Sequence, residues 1–409
     1  MDGFGRRLRQ LRQQRGWSLR DLARVAAYDH SYLSQIERGV RAPTAALAET
    51  CDRTLDAGGA LLAAYHQHGP SEDDMQRRTL LRALGALATT APNRDIGLEA
   101  IRQGVNHAAR ADEDEWLAII ADYGYAYYTR SPSQLLADLT ADLAVLQTLV
   151  SAHRDPERAR TLLTVAAHLS VIVAMTAAGQ TDTHAARRWW RTAHRAAERS
   201  GDVDTRILVA AWKVVGGCYD QRPAAETLAA SEVAVNLTGN RATAAIAGLW
   251  AGRAQMFALT GRHAEAANAA VQVERITERL PDVVTQDVES LWGWPEHRLR
   301  HAQSYVYTLT RDQKAATAAQ DRALALYPPS QARLRAQVEL HRAAGMIYAG
   351  HIPDGLRHAA DALDRLPVRQ HTRALHAVTR QVLRAVPTSQ RSLPAVDDLA
   401  ARLAEPSAP

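Results

Sequence analysis

Residues 18–39 read SLRDLARVAAYDHSYLSQIERG, and this stretch decides the first part of the fold. Ser18 followed by Asp21 is a capping-box variant, a hydroxyl and a carboxylate placed to satisfy backbone donors at a helix start. Leu19, Leu22, Ala23 and Ala26 fall at helical spacing and make one apolar stripe. Asp29 then offers a second N-cap, favoured also by the helix dipole. Leu33 and Ile36 belong to a core, which leaves His30, Ser31, Ser34 and Gln35 on the opposite side. These short or planar polar groups are of the kind that reach base edges when a helix N-terminus enters the major groove. Gly39 stands where a left-handed residue closes a helix.

Working outward, residues 4–23 read FGRRLRQLRQQRGWSLRDLA and residues 32–43 read YLSQIERGVRAP. Phe4, Leu8 and Leu11 give residues 3–14 a core face at i, i+4 and i+7. The whole of residues 1 to about 64 resembles the Cro/repressor (XRE) type of helix-turn-helix domain, a lambda-repressor-like bundle of about five helices. The Tyr-Leu-Ser-x-Ile-Glu-x-Gly-x-x-x-Pro pattern is its more specific part. The resemblance implies that His30, Ser31, Ser34 and Gln35 meet the DNA, with His30, Ser31 and Gln35 as base readers. It places Arg41 near the phosphates and pairs Arg12 with Glu37 as a structural ion pair. Leu19 departs from the pattern, which often carries Gln there.

The charge of the chain agrees with a module that meets phosphates. The formal charge is +5 over 409 residues. Residues 1–41 alone hold nine arginines against four acidic residues, so the whole excess is matched by this one segment. Such a concentration is the electrostatic footprint of a phosphate-binding module. Apolar residues make up 46% and charged residues 23%, an ordinary globular composition. The length asks for more than one core. Cys51 and Cys218 fall in different expected domains, so no disulfide framework follows and a reducing cytoplasm is expected. No signal peptide and no apolar run near 18 residues is apparent, so neither export nor a membrane partner is expected. The internal run RRTLLRAL at 77–84 is expected to be a linker helix.

After residue 43 a helix over 44–55 would bury Leu47, Ala48, Cys51 and Leu55. The run DAGG at 56–59 breaks it, and a short helix over 60–65 follows. His66 and His68 are expected to be solvated tail residues. Residues 69–74, GPSEDD, mark a boundary.

From about residue 99 no strand is expected. Turn-like breaks come at 178–180, 219–221, 260–262, 310–312 and 349–351, with second breaks at 200–202, 238–240, 280–282, 327–329 and 366–367. Two breaks per period of roughly 40 to 50 residues make a helical hairpin the repeating unit, which is the signature of an α-solenoid. The unit GLWAGRAQMFALTGRHAEAANAA at 248–270 resembles a tetratricopeptide repeat, carried by Ala254, Gly261, Ala264, Ala266 and Ala267. Coiled coil is disfavoured because no heptad is sustained.

Aromatic residues gather at Tyr123, Tyr125, Tyr127 and Tyr128, at Trp189 and Trp190, and at Trp292 and Trp294 in LWGWPEH. Tyr125, Tyr128, Trp292 and Trp294 are the candidates for lining a ligand groove, with arginines of the inner helices meeting an acidic ligand. No catalytic constellation, metal cluster or cofactor motif appears, so an enzyme is not expected. His168, His184, His194, His341, His358 and His376 are expected to be surface or satisfied core residues.

These readings give an all-α chain: a DNA-binding domain over 1–68, a partly helical linker over 69–98, and a tetratricopeptide-like array over 99–405. The order resembles peptide-sensing regulators of Gram-positive bacteria and, with the RRTLL linker, an actinobacterial group of the same layout. The resemblance implies a cytoplasmic transcription regulator. It would bind a palindromic double-stranded operator as a homodimer and sense a peptide, a small molecule or a protein. The alternative is an interaction adaptor whose DNA-binding domain is vestigial.

Overall fold

The computed structural model describes residues 3–26, 28–39, 43–67, 113–152, 155–180, 182–219 and 223–404. All regular elements among them are helical. The chain divides into two compact units, Met1–Gly97 and Leu98–Pro409. The linker expected over 69–98, His68 and Arg41 lie outside the described residues.

The first unit holds five short helices: α1 (Gly3–Gln14), α2 (Leu19–Ala26), α3 (His30–Glu37), α4 (Ala45–Thr54) and α5 (Ala60–Gln67). Their starts follow from local side chains. Ser18 N–H donates to Asp21 Oδ2 at 2.9 Å, and Asp21 N–H returns a bond to Ser18 Oγ at 3.2 Å, closing the capping box of α2. Thr44 Oγ1 accepts from Leu47 N–H at the start of α4. The α5 start is held from a distance, because the buried carboxylate of Asp52 accepts from both Gly59 and Leu61 N–H at 2.8 Å. One apolar residue set from all five helices forms the core, centred on Phe4, Leu8, Leu22, Leu33, Ile36, Leu47 and Leu61. Each such side chain contributes about 1.5–3 kcal/mol by leaving water.

In the second unit, α6 (Glu113–Thr129) and α7 (Pro132–Ala152) precede five helical hairpins. These pair α8 (Pro156–Gly179) with α9 (Thr183–Ser200), α10 (Val203–Tyr219) with α11 (Ala224–Thr238), and α12 (Ala244–Leu259) with α13 (His263–Thr277). After the short α14 (Asp282–Thr285) and an irregular segment, α15 (Glu296–Thr310) pairs with α16 (Gln313–Leu326) and α17 (Ala332–Tyr348) with α18 (Ile352–Asp364). The chain ends on α19 (Arg373–Ala385) and α20 (Pro394–Ala404). The first helix of each hairpin packs on the first helix of the next, and α19 returns to touch α8 and α10.

Two expectations need correction. Helix α8 is long and apolar enough to cross a membrane by length and composition, although no such run was expected. His168, Ser170 and Thr176 interrupt the run and disguise it. The helix is largely buried under α6, α7, α9 and α10, as an all-round apolar helix in a folded domain must be. Of the small residues expected between paired helices, Ala254 and Ala266 are buried, but Ala264 and Ala267 are exposed. Ala269 and Ala270 are buried instead.

Candidate nucleic-acid interface and inner cavity

Helix α3 is built to be held from behind and bare in front. Asp29 sits in an extended conformation and its Oδ1 accepts from Tyr32 N–H at 3.0 Å, which fixes the first turn. Leu33, Ile36 and Glu37 are buried. His30 is exposed, and Ser34 and Gln35 are half-buried. Ser31 lies in the first turn of the same helix. Gly39 takes the left-handed conformation, φ 70°, just after the helix end.

Behind α3, Arg12 and Glu37 meet in a two-pronged ion pair. Arg12 Nε donates to Glu37 Oε1 at 2.6 Å and Nη2 to Oε2 at 2.9 Å, while Nη1 reaches the Trp17 carbonyl at 2.7 Å. The hydrogen bonds to Glu37 hold the guanidinium above its usual pKa despite burial. Burial, with the Glu37 charge, also pushes the Cys51 thiol up to about 12, so it stays protonated. A second contact was not readable from spacing. A Cβ on Gly5 would lie 2.2 Å from the Ile36 carbonyl oxygen, so only glycine lets α1 cross the end of α3 this closely.

Arginines 6, 7, 9, 15, 20, 24, 38 and 53 are exposed around this bundle. Two helices joined by a tight turn, the second capped and polar on its outer face, on a basic surface: this is a helix-turn-helix DNA-binding domain. Residues 4–65 match the family model of a helix-turn-helix domain. No curated protein and no solved structure matches the chain.

The second unit holds a partly open cavity of about 1000 Å³. Its walls come from the first helices α8, α10, α12, α15 and α17, from the end of α6 and the start of α7, and from α9 and α19. The irregular segment after α14 closes one side. There Leu291 N–H donates to the Gly124 carbonyl at 2.9 Å, and Trp292 Nε1 to the Ile120 carbonyl at 2.7 Å. Trp294 Nε1 donates to Thr277 Oγ1 at 2.9 Å. Arg298 gathers the segment by donating to the carbonyls of Leu291, Gly293 and Ser290, and to Tyr128 Oη at 2.8 Å. A Cβ on Gly124 would lie 2.5 Å from the Trp292 ring, so glycine is required at this crossing too.

Of the four residues expected at a groove, Tyr128, Trp292 and Trp294 line the cavity. Tyr125 does not. It is 45% exposed, and its hydroxyl is raised in pKa chiefly by the charge of Asp287. Tyr125 lies about 200° round the helix from Tyr127, which takes the cavity side. Trp212, Arg298, His301, Tyr327 and Arg333 line the cavity without having been singled out. Their signal was the presence of polar residues where an inner helix should be apolar, as in EHRLRHAQSYVY of α15.

The polar groups behind this lining are only partly paired, and His341 Nε2 finds no hydrogen-bond partner among the described residues. His301 Nδ1 lies 2.9 Å from Tyr327 Oη, and His341 Nδ1 lies 2.9 Å from Ser304 Oγ. Burial, then the Arg298 charge, pushes His301 down to about 4 and His297 to about 3. Burial and the His301 charge hold His341 well below the usual histidine value. All three are neutral near pH 7, which suits an interior that cannot solvate an imidazolium.

Proposed function

We propose that this chain is a sequence-specific transcription regulator of the Cro/repressor (XRE) type, working as a cytoplasmic homodimer. In this reading α3 reads bases, and the hairpin array is tetratricopeptide-like, a sensor and dimerisation unit with no enzyme activity. The observation that carries it is the outer face of α3. A capped helix with His30, Ser34 and Gln35 turned from the core, inside a basic bundle, has the form of a recognition helix. Direct base contacts are assigned to His30, Ser31 and Gln35, with Ser34 beside them, and a phosphate contact to Arg41. A single recognition helix touches few bases, so two copies on a palindromic operator supply genomic specificity. The array supports an effector role because it holds a cavity of ligand size. Effector binding then shifts DNA affinity through its preference for one arrangement of the paired readers.

The test is selection of genomic fragments by the full chain, followed by a salt series on the selected site. Specific affinity falls steeply as salt rises yet stays above background. Gln35→Ala relaxes one operator position, at about 1–3 kcal/mol of discrimination, while Arg41→Ala weakens all sequences alike. Identical patterns for the two variants would remove α3 from the major groove. Absence of any selected site would leave an adaptor with a vestigial reader.

A further inference from the structure

The lining of the inner cavity is one-sided in charge. Arg130, Arg298, Arg333 and Arg373 line it, and among the described residues no Asp, Glu or Lys does. Arg130 is answered by Asp138. Arg298 is answered only by carbonyls and the Tyr128 hydroxyl, which orient its guanidinium without cancelling its charge. Arg333 and Arg373 have no ion-pair partner among the described residues. The same wall carries flat apolar surface. Trp190, Trp212, Trp292, Trp294 and Tyr327 all line the cavity, and Arg298 lies 5.8 Å from the centre of the Trp212 ring. Trp190 is 3% exposed, and its indole N–H finds no acceptor on the protein among the described residues.

We infer that the cavity binds a small organic acid: a planar apolar body against the tryptophans and an anionic head against Arg333 and Arg373. The inference rests on the effector reading above and narrows it. Guanidinium groups suit planar carboxylate or phosphate heads because they offer two parallel N–H donors. Aromatic faces favour flat bodies. A cavity of about 1000 Å³ is at the upper end for small-molecule sites, enough for several fused or linked rings. The charge pattern disfavours a peptide, because an N-terminal ammonium or a basic side chain would face arginines with no carboxylate among the described lining residues to receive it. The Arg298 charge that depresses His297 and His301 is the same potential seen by their own protons.

The experiment uses the full chain and two fluorescent probes of nearly one shape. The first, 8-anilinonaphthalene-1-sulfonate, is a flat anion; the second, N-phenyl-1-naphthylamine, lacks the sulfonate. Binding is followed by probe fluorescence and by energy transfer from tryptophan. The anion is expected to bind one per chain, at least tenfold more tightly than the neutral probe, with an affinity that falls as salt rises. Arg333→Gln with Arg373→Gln is expected to abolish that preference while leaving the neutral probe's affinity in place, which also reports an intact cavity. Equal affinities for the two probes in the unmodified chain, or a preference indifferent to salt, would overturn the inference without recourse to any variant. So would a library of short peptides, several with free amines, stabilising the chain against heat where the anion does not. Operator binding, measured in parallel, separates this outcome from failure of the regulator reading.

Discussion

The two units place their polar chemistry on opposite sides. In the first, the described interior is apolar around the Arg12–Glu37 ion pair and the buried Asp52 carboxylate, and the groups available to a partner, His30, Gln35 and the arginines, face outward. In the second, Arg298, His301, Gln331 and Gln337 are turned inward onto the walls of the cavity. A small bundle has too little interior to enclose a partner, so it can only present a face. A curved array of hairpins creates an inside that is neither core nor surface, where polar side chains survive if each finds a neighbour. The contrast also separates their weak points. Among the described residues the first unit is held by the Arg12–Glu37 pair and the buried Asp52 carboxylate, and the second by neutral hydrogen bonds and close glycine crossings such as that at Gly124.

The largest expected effect comes from Glu37→Ala, which strands a buried guanidinium at a cost of about 3–5 kcal/mol. Calorimetry of the full chain should show the reader's transition falling by about 12 °C or more, with that of the array unmoved. A common shift of both transitions would abolish the contrast. Next is acid. Histidine bound neutral in the folded array and protonated when unfolded gives stability that is complete above pH 6.5 and drains away down to about 4, the folded value of His301. For His301 this is about 3 kcal/mol. Seven of the eight tryptophans belong to the second unit, so urea unfolding followed by their fluorescence between pH 7 and 4.5 reads the array. A flat profile would mean that His301 is charged or solvated. The smallest effect is expected from Gly124→Ala, at about 1–3 kcal/mol for overpacking against Trp292. Adding Trp292→Ala should make that cost shrink, and strict additivity in the double-mutant cycle would show that the two do not touch.

Legibility in the sequence followed the range of the forces. Helix boundaries were readable because turns and caps act within four residues: Asp29, Thr44 and the breaks at Gly201, Gly239 and Gly261 all end or begin helices. Arg12 and Glu37 are 25 positions apart and came only through the resemblance to the Cro/repressor type. Gly5 and Gly124 were invisible because their reason lies in another helix. The aromatic clusters lie around the cavity, but cavity and surface differ by a rotation about the helix axis, so Tyr125 stands outside the lining that Tyr128 joins. Arg298 read as one more arginine in an arginine-rich chain. Its role exists only once the segment from Ser290 to Gly293 folds back on it.

That fold-back bears on how such a chain can change length. Stacks of hairpins ordinarily gain or lose members because each touches only its neighbours. Here Ile120 and Gly124 are bonded to Trp292 and Leu291, partners 172 positions apart in the case of Ile120 and Trp292. A duplicated hairpin anywhere between them would carry the two ends out of register and leave Arg298 without the Tyr128 hydroxyl. The number of hairpins from α8 to α13 is therefore locked at three, and the return of α19 onto α8 and α10 sets a second limit on the stretch that follows.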